Sequence, residues 1–312
     1  MLRTLPVFFF ACACSQTSLP PETWVESVYG DVSSTSGRLL DDLDALVTDT
    51  QGRLPGSAGD EAARAHIFAA FVAAGLSDVG AQTFSDATGS ETANILGVVL
   101  GSDPDLADEV IVVSAHHDHL GPGFPGANDN GTGVAALIEI ARRIAADPPP
   151  RTVRFAAFGA EEAGFLGAIA YAEQPGVIDD VVYAVNLDML GTLTQAGSVW
   201  ALGARNGSVG EVWVQAAASD WPDGTVVLGD WSDESDNVAF CTEGVPYVFF
   251  WTPDSECYHQ ACDTVDRIEP NGFAAVTLLA ADVVREAATA TLDLRGQVQP
   301  GEDVCRQVAQ AP

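Results

Sequence analysis

The sequence predicts a single α/β domain built on a mostly parallel mixed sheet with helices on both faces. Three observations carry this expectation. Apolar runs of strand length, such as residues 110–113, show none of the polar alternation of a half-exposed strand, so they belong where both faces are buried. Segments of helical spacing lie between these runs, and strand–helix alternation is the pattern of a parallel sheet wrapped on both sides. No period of 20 to 50 residues recurs, which excludes a repeat array.

Taken in order, residues 1–14 read as an export signal: Met1-Leu2-Arg3 is a short basic start, and the apolar stretch 5–13 is too short to span a bilayer. Cys12 and Cys14 follow small residues, so cleavage with acylation of a cysteine, giving a lipid anchor, competes with plain cleavage. Residues 15–36, rich in Ser, Thr, Pro and Gly, read as a linker, and the main domain is expected over 37–290. Leu39, Leu40, Leu43, Leu46 and Val47 have helical spacing. Ser57 with Asp60 has the form of a capping box for a helix over 58–74, stopped by Gly75. Its apolar stripe is expected to be Ile67, Phe68, Phe71 and Val72, with His66 a structural neighbour. Strands are predicted at 94–100, 110–114, 152–158, 181–187 and 247–251, and helices at 134–146 and 273–288. Residues 291–312 read as a loose tail.

Composition removes several function classes. Asp and Glu number 44 against 13 basic residues, a formal net charge of −31, and such a field repels nucleic acid and anionic membrane surfaces. Every basic residue is an arginine, so no Schiff base, pyridoxal site or P-loop lysine can form. Neither a G-x-S-x-G elbow nor an H-E-x-x-H helix occurs. Gly121 to Gly126 spells G-x-G-x-x-G, but Pro122 and Pro125 spoil the helix entry that would cradle a pyrophosphate.

Four predicted strands finish at side chains able to hold a metal: His116 and Asp118, then Glu161 and Glu162, then Asp188, then His259. In a parallel arrangement these ends share one edge, where ligands gather in open α/β sheets. Asp129 joins them from the Gly-rich loop that follows the first of these strands. Two histidines and three carboxylates suit two cations of the zinc type better than one, because three carboxylates around a single divalent ion leave a partly desolvated negative charge.

His116-His117-Asp118, Gly126-Ala127-Asn128-Asp129-Asn130-Gly131, Phe158 to Gly164, Asn186-Leu187-Asp188-Met189 and Tyr258-His259 with Asp263-Thr264 resemble the successive motifs of the M28 family of co-catalytic zinc peptidases. The likeness runs from Arg53 to Ala288. It implies a zinc-aminopeptidase (phosphorylase/hydrolase-like) fold and two Zn²⁺ ions, one held by His116 and Asp188, the other by Glu162 and His259, with Asp129 bridging. It further implies Glu161 as general base, Asp118 orienting His116 through its second ring nitrogen, and Tyr258 donating to a tetrahedral oxyanion. The implied substrates are peptides with a free N-terminus, met outside the cell or at the bacterial envelope, and the oligomeric state stays open. His117 and His119 have no ligand position in this pattern and are expected to be supporting residues. The chain departs from many members at Asn237, where a histidine or another ring is common, which affects the pocket wall. Cys257 and Cys262 flank His259, so a disulfide between them would brace its loop; Cys241 and Cys305 stay open. Three competitors are a carboxypeptidase, for which Arg205 and Arg267 are poorly placed, a single-zinc glutaminyl cyclase, and a non-enzymatic zinc module, which has no need of Glu161.

Overall fold

The computed structural model describes residues 23–30, 32–47, 52–86, 89–205 and 208–294; the expected export signal with Cys12 and Cys14, and Cys305, lie outside them. The chain runs α1 (Thr23–Tyr29), α2 (Val32–Val47), α3 (Ala58–Ala74), β1 (Ser77–Ser85), β2 (Glu91–Val99), β3 (Val110–His116), a kinked turn over Ala127–Thr132, α4 (Gly133–Ala146), β4 (Thr152–Phe158), α5 (Leu166–Ala172), β5 (Val181–Leu187), α6 (Leu193–Ala196), β6 (Val199–Leu202), α7 (Val209–Ala217), β7 (Val226–Leu228), α8 (Asn237–Thr242), β8 (Tyr247–Trp251), a short turn at Val265–Arg267, and α9 (Pro270–Thr289).

One eight-stranded sheet has the order β1-β2-β4-β3-β5-β8-β6-β7. Its centre, β4-β3-β5-β8, is parallel throughout, while β2 joins β4 and β6 joins β8 in antiparallel sense. The mixed character therefore belongs to the flanks. Every residue of β3 and β5 is buried, and the two faces of β3 feed two separate cores. Ile111, Val113 and Ala115 pack with α2, α3, α4 and α9, whereas Val110 and Val112 pack with α5 and α8. This double coverage is why the strands read as unbroken apolar runs. Among the described residues no helix is long and apolar enough to cross a membrane.

The helix over 58–74 is placed as its capping signals predict. The Ser57 side chain accepts from the Asp60 amide at 3.2 Å, and Gly75 adopts φ +83° to close the C-terminus. Its buried stripe differs from expectation: Ile67 and Phe71 face the core with Ala63 and Ala70, while Phe68 and Val72 turn outward to 40% and 55% exposure. A step of 100° per residue carries the residue after each core position off the buried face. His66 is structural, with Nε2 3.1 Å from Asp42.

The linker reading of 15–36 is corrected where the structure describes it. α1 and most of the first turns of α2 fall there, and Val25, Val32, Thr35 and Ser36 are buried. Ser36 donates to the Val32 carbonyl at 2.8 Å within its own helix, which removes the cost of a buried hydroxyl. At the other end, Leu294 is fully buried in the core, so the chain packs past 291.

Candidate metal centre and its cleft

Parallel pairing brings the C-terminal ends of β3, β4, β5 and β8 to one edge. β3 ends at His116, the turn after β4 carries Glu161 and Glu162, Asp188 follows β5 directly, and the loop after β8 carries Tyr258 and His259. Three non-glycine residues with positive φ sit at or beside these groups: Ala160 at +58°, Met189 at +58° and His259 at +55°. Such conformations persist where surrounding structure over-determines them, as at sites that aim side chains.

His116 Nε2 lies 3.5 Å from Asp129 Oδ1, 3.5 Å from Asp188 Oδ1 and 3.9 Å from Glu161 Oε2. His259 Nε2 lies 3.1 Å from Asp129 Oδ2 and 3.0 Å from Glu162 Oε2. All five sequence-predicted ligands therefore converge, with Asp129 between the two groups. Two donors on one tetrahedral zinc, each about 2.0–2.1 Å from the ion, stand roughly 3.3 Å apart, close to the separations around His116 and beyond ordinary hydrogen-bond length. Asp129 Oδ2, Glu162 Oε1 and Asp188 Oδ1 are buried without a hydrogen-bond partner. Orphaned acceptors of this kind need an explanation, and the donors gather in two groups, His116 with Glu161 and Asp188 and His119 with Asp129 and Glu162, each able to hold a metal ion.

Outer contacts hold the carboxylates in place. Asp188 Oδ2 accepts from Ser235 at 2.8 Å, Ser235 from Asn186 at 2.9 Å, and Asn186 from Ser114 at 2.8 Å, a chain that fixes one oxygen and leaves the other facing the site. Asp263 accepts the Asn128 and Asp129 amides at 2.7 and 3.0 Å and so anchors the loop that presents Asp129. The Asp118 carboxylate lies 3.7 Å from His116 Nδ1, too far for a hydrogen bond; the partner of that nitrogen is the Asp118 main-chain carbonyl at 3.2 Å. The carboxylate instead accepts the amides of Glu161 and Glu162 at 2.9 and 3.2 Å, clamping the turn that carries both.

Burial, reinforced by the carboxylates of Asp236, Asp188 and Asp118, raises the Glu161 pKa to about 10, although His116 opposes the rise. Burial likewise lifts Asp236 to about 8, with Asp118 and Asp188 adding to it. On His116, burial works against a charge, yet Glu161 and Asp188 hold the imidazole well above its ordinary value. His117 is the opposite case: burial drives it down to about 3, and its neutral ring bonds the Phe158 carbonyl at 2.5 Å. His117 thus packs as a neutral ring against the end of β4. His119 differs, because its Nδ1 lies 2.9 Å from Glu162 Oε1.

The centre opens into a cleft of about 330 Å³ whose further walls include Met189, Phe249, Trp251, Pro253 and Tyr258, with Glu234 and Asp254 also lining it. Tyr258 is half-exposed and stacks on His259 at 3.9 Å between centroids. Asn237 is buried, donates to the Ser232 carbonyl at 2.7 Å and is not among the residues that line the cleft. The expected Cys257–Cys262 disulfide is present, enclosing Tyr258 and His259, and Cys241 is disulfide-bonded as well.

A model of peptidase family M28 matches residues 94–284. The chain belongs to peptidase family M28. The match begins in β2 and ends in α9, so it spans all four strands whose ends build the centre. Aminopeptidase YwaD of Bacillus subtilis is 32% identical over 190 residues, 58% of this chain and 41% of that protein. The probable lipoprotein aminopeptidase LpqL of Mycobacterium tuberculosis is 40% identical over 84 residues, 26% of this chain and 17% of that protein. The chain thus spans less than half the length of these relatives. Among solved structures, the zinc aminopeptidase BSAP from Bacillus subtilis superposes with a TM-score of 0.73 at 18% identity, covering 84% of this chain and 97% of that one. That likeness confirms the expected fold: one α/β domain with a mostly parallel mixed sheet between helical layers.

Arg53, His119, Ser235, Asp236 and Asp263 belong to the site, yet no ligand or catalytic role for them was readable in the sequence. Asp263 works through main-chain amides, and no spacing of side chains marks such a role.

Proposed function

We propose that the chain is an exported metallo-aminopeptidase that uses two zinc ions. His116 and Asp188 would hold one ion, Glu162 and His259 the other, and Asp129 would bridge them. Bound there, the ions would lower the pKa of a water and polarise the scissile carbonyl. Glu161 would be the general base: the upward shift of its pKa belongs to the metal-free site, and beside bound cations its carboxylate would be ionised, free to take the proton of the attacking water and deliver it to the leaving amine. Asp118 is a positioning residue, since it fixes the Glu161–Glu162 turn through both amides. Tyr258 supports the oxyanion; burial, then the carboxylates of Asp129 and Glu162, push its pKa upward, which keeps the phenol protonated as a donor.

The observation that carries this reading is the set of buried, unpartnered atoms on Asp129, Glu162 and Asp188 gathered at one sheet edge beside Glu161. Substrate polarity follows from charge. A cleft lined by Asp129, Glu161, Asp188, Glu234 and Asp254 favours an N-terminal ammonium. A carboxypeptidase needs a cation for the terminal carboxylate, and the lining holds no arginine. Arg205 and Arg267 are engaged elsewhere, with Asp230 and Glu256. The likeness to LpqL and the apolar start of the sequence support export, with a lipid anchor at Cys12 or Cys14 as one form of it.

The test is Glu161→Gln, assayed on amino-acid p-nitroanilides and on N-blocked peptides. Turnover of the free-amine substrates should fall on the order of 10²- to 10⁴-fold while both metals remain bound. Unchanged turnover removes Glu161 from the role, and preferential cleavage of blocked peptides removes the aminopeptidase reading.

A further inference from the structure

His119 is a fully buried imidazole with no role in the scheme above. Its amide donates to the Arg53 carbonyl at 3.1 Å, and its ring packs close to Gly126, where a Cβ would stand 2.5 Å from Cγ and Cδ2. The backbone is thus pinned by Arg53 and the ring confined by Gly126. Nδ1 is 2.9 Å from Glu162 Oε1 and 3.9 Å from Asp129 Oδ2, yet neither Nδ1 nor Oε1 makes a hydrogen bond. Nε2 has no partner either. A purely packing residue here would be better apolar, because burying an unmet polar group costs on the order of 1–3 kcal/mol by mutational measures. His119 Nδ1 and oxygens of Asp129 and Glu162 all lie within 4.8 Å of one another, and the His119 and His259 rings are 5.9 Å apart between centroids.

We propose that His119 is a further ligand of the second cation, bound through Nδ1. That cation is then held by His119, Asp129, Glu162 and His259, against His116, Asp129 and Asp188 for the first. The inference rests on the two-ion reading. Its consequence is an ordered loading: the site with four protein donors fills first and retains its metal longer under chelation, and the site with three keeps more open positions.

X-ray absorption at the zinc edge of the full chain loaded with two equivalents tests this without relying on any variant. Three histidines shared by two ions give about 1.5 imidazoles per zinc at 2.0–2.1 Å, against about 1.0 if His119 stays out of the sphere. In His119→Gln the count should fall to about 1.0, and competition with a chelator should show one of the two dissociation constants weakened by roughly 10- to 100-fold, of the size seen when a ligand environment is disturbed. A parent count of about 1.0, or a variant count equal to the parent's, overturns the assignment. If the parent binds a single zinc, the two-ion reading fails, and the His119 assignment is still decided by whether the variant loses an imidazole.

Discussion

Arg53 joins the two segments that carry the first ligands, and replacing it tests how the centre is built. Its guanidinium is buried and donates from Nε to the His117 carbonyl at 2.7 Å, from Nη1 to Pro125 at 2.9 Å and from Nη2 to Gly126 at 2.7 Å. One planar fork thereby locks the end of β3 to the turn that leads into Asp129. Hydrogen bonds to a charged group contribute about 1.5–3 kcal/mol each, and a buried carbonyl left alone costs about 1–3 kcal/mol. Three such bonds on one side chain are not additive, and loss of the arginine also removes its own desolvation cost. We expect Arg53→Met to destabilise the zinc-free protein by about 3–6 kcal/mol. At about 2–4 °C per kcal/mol for a chain of this size, the melting temperature should fall by roughly 6–24 °C. Arg53→Lys should recover less than half of this, because a point charge cannot span three carbonyls. Urea unfolding and thermal melts measure both variants. A loss below about 1 kcal/mol in Arg53→Met would show that the loops hold their register without the fork, and the account of the site's rigidity would be wrong.

Two further outcomes are expected. Replacing Cys257 and Cys262 by serine opens a loop with a sequence separation of 5, for which chain entropy gives about 2 kcal/mol; scanning calorimetry should show that loss together with weaker metal binding if His259 is the ligand proposed, and full metal retention would mean that the bridge does not brace a ligand. In metal-free protein, Glu161 and Asp236 have folded pKa values raised to about 10 and about 8, above the usual 4.5 and 3.8. Their contribution to stability is complete below the unfolded values and is lost as pH rises toward the folded ones, by up to about 1.4 kcal/mol per pH unit for each group. Melts of chelator-treated protein should therefore fall from pH 5 to pH 8 while the zinc-loaded protein changes little; a chelated sample that grows more stable over that range contradicts the assignment.

The parts of the fold that were legible are those whose surroundings are uniform. β5 and β8 lie at the predicted residues because a strand covered on both faces is filled mainly by apolar side chains, Asn186 near the end of β5 being held by Ser114 and Ser235. β1, β6 and β7 were not predicted. They lie toward the sheet margins, and the half-exposed pattern of β1 and the three residues of β7 leave no strong apolar period. α1 and the first turn of α2 were read as linker because Ser and Thr count against helix only when their hydroxyls lack partners, and Ser36 also reaches the Pro270 carbonyl on α9 at 3.1 Å. In the site, residue types at strand ends were readable, but the division of ligands between two ions came from family likeness. His119 shows the limit: its position depends on Gly126 having no side chain and on a turn clamped by Asp118, neither of which is a property of the local sequence.

The same geometry explains why metal and proton are alternatives here. With no lysine in the chain, only arginine and histidine can neutralise the site carboxylates. Among the described residues the arginine ion pairs go to Asp42, Asp60, Glu109, Glu139, Asp147, Asp230 and Glu256, and none reaches Asp129, Glu161, Glu162 or Asp188. Arg53, the nearest buried cation, bonds to carbonyls instead. Histidines alone cannot offset the remaining charge, because His117 is held neutral. Without added cations the centre can lower its negative charge only by binding protons, the direction in which burial and neighbouring carboxylates push Glu161 and Asp236. Loading metal should consequently release protons, and calorimetric titrations of zinc in buffers of different ionisation enthalpy should detect them; a heat independent of the buffer would mean that the carboxylates were already ionised and that something other than a cation balances them.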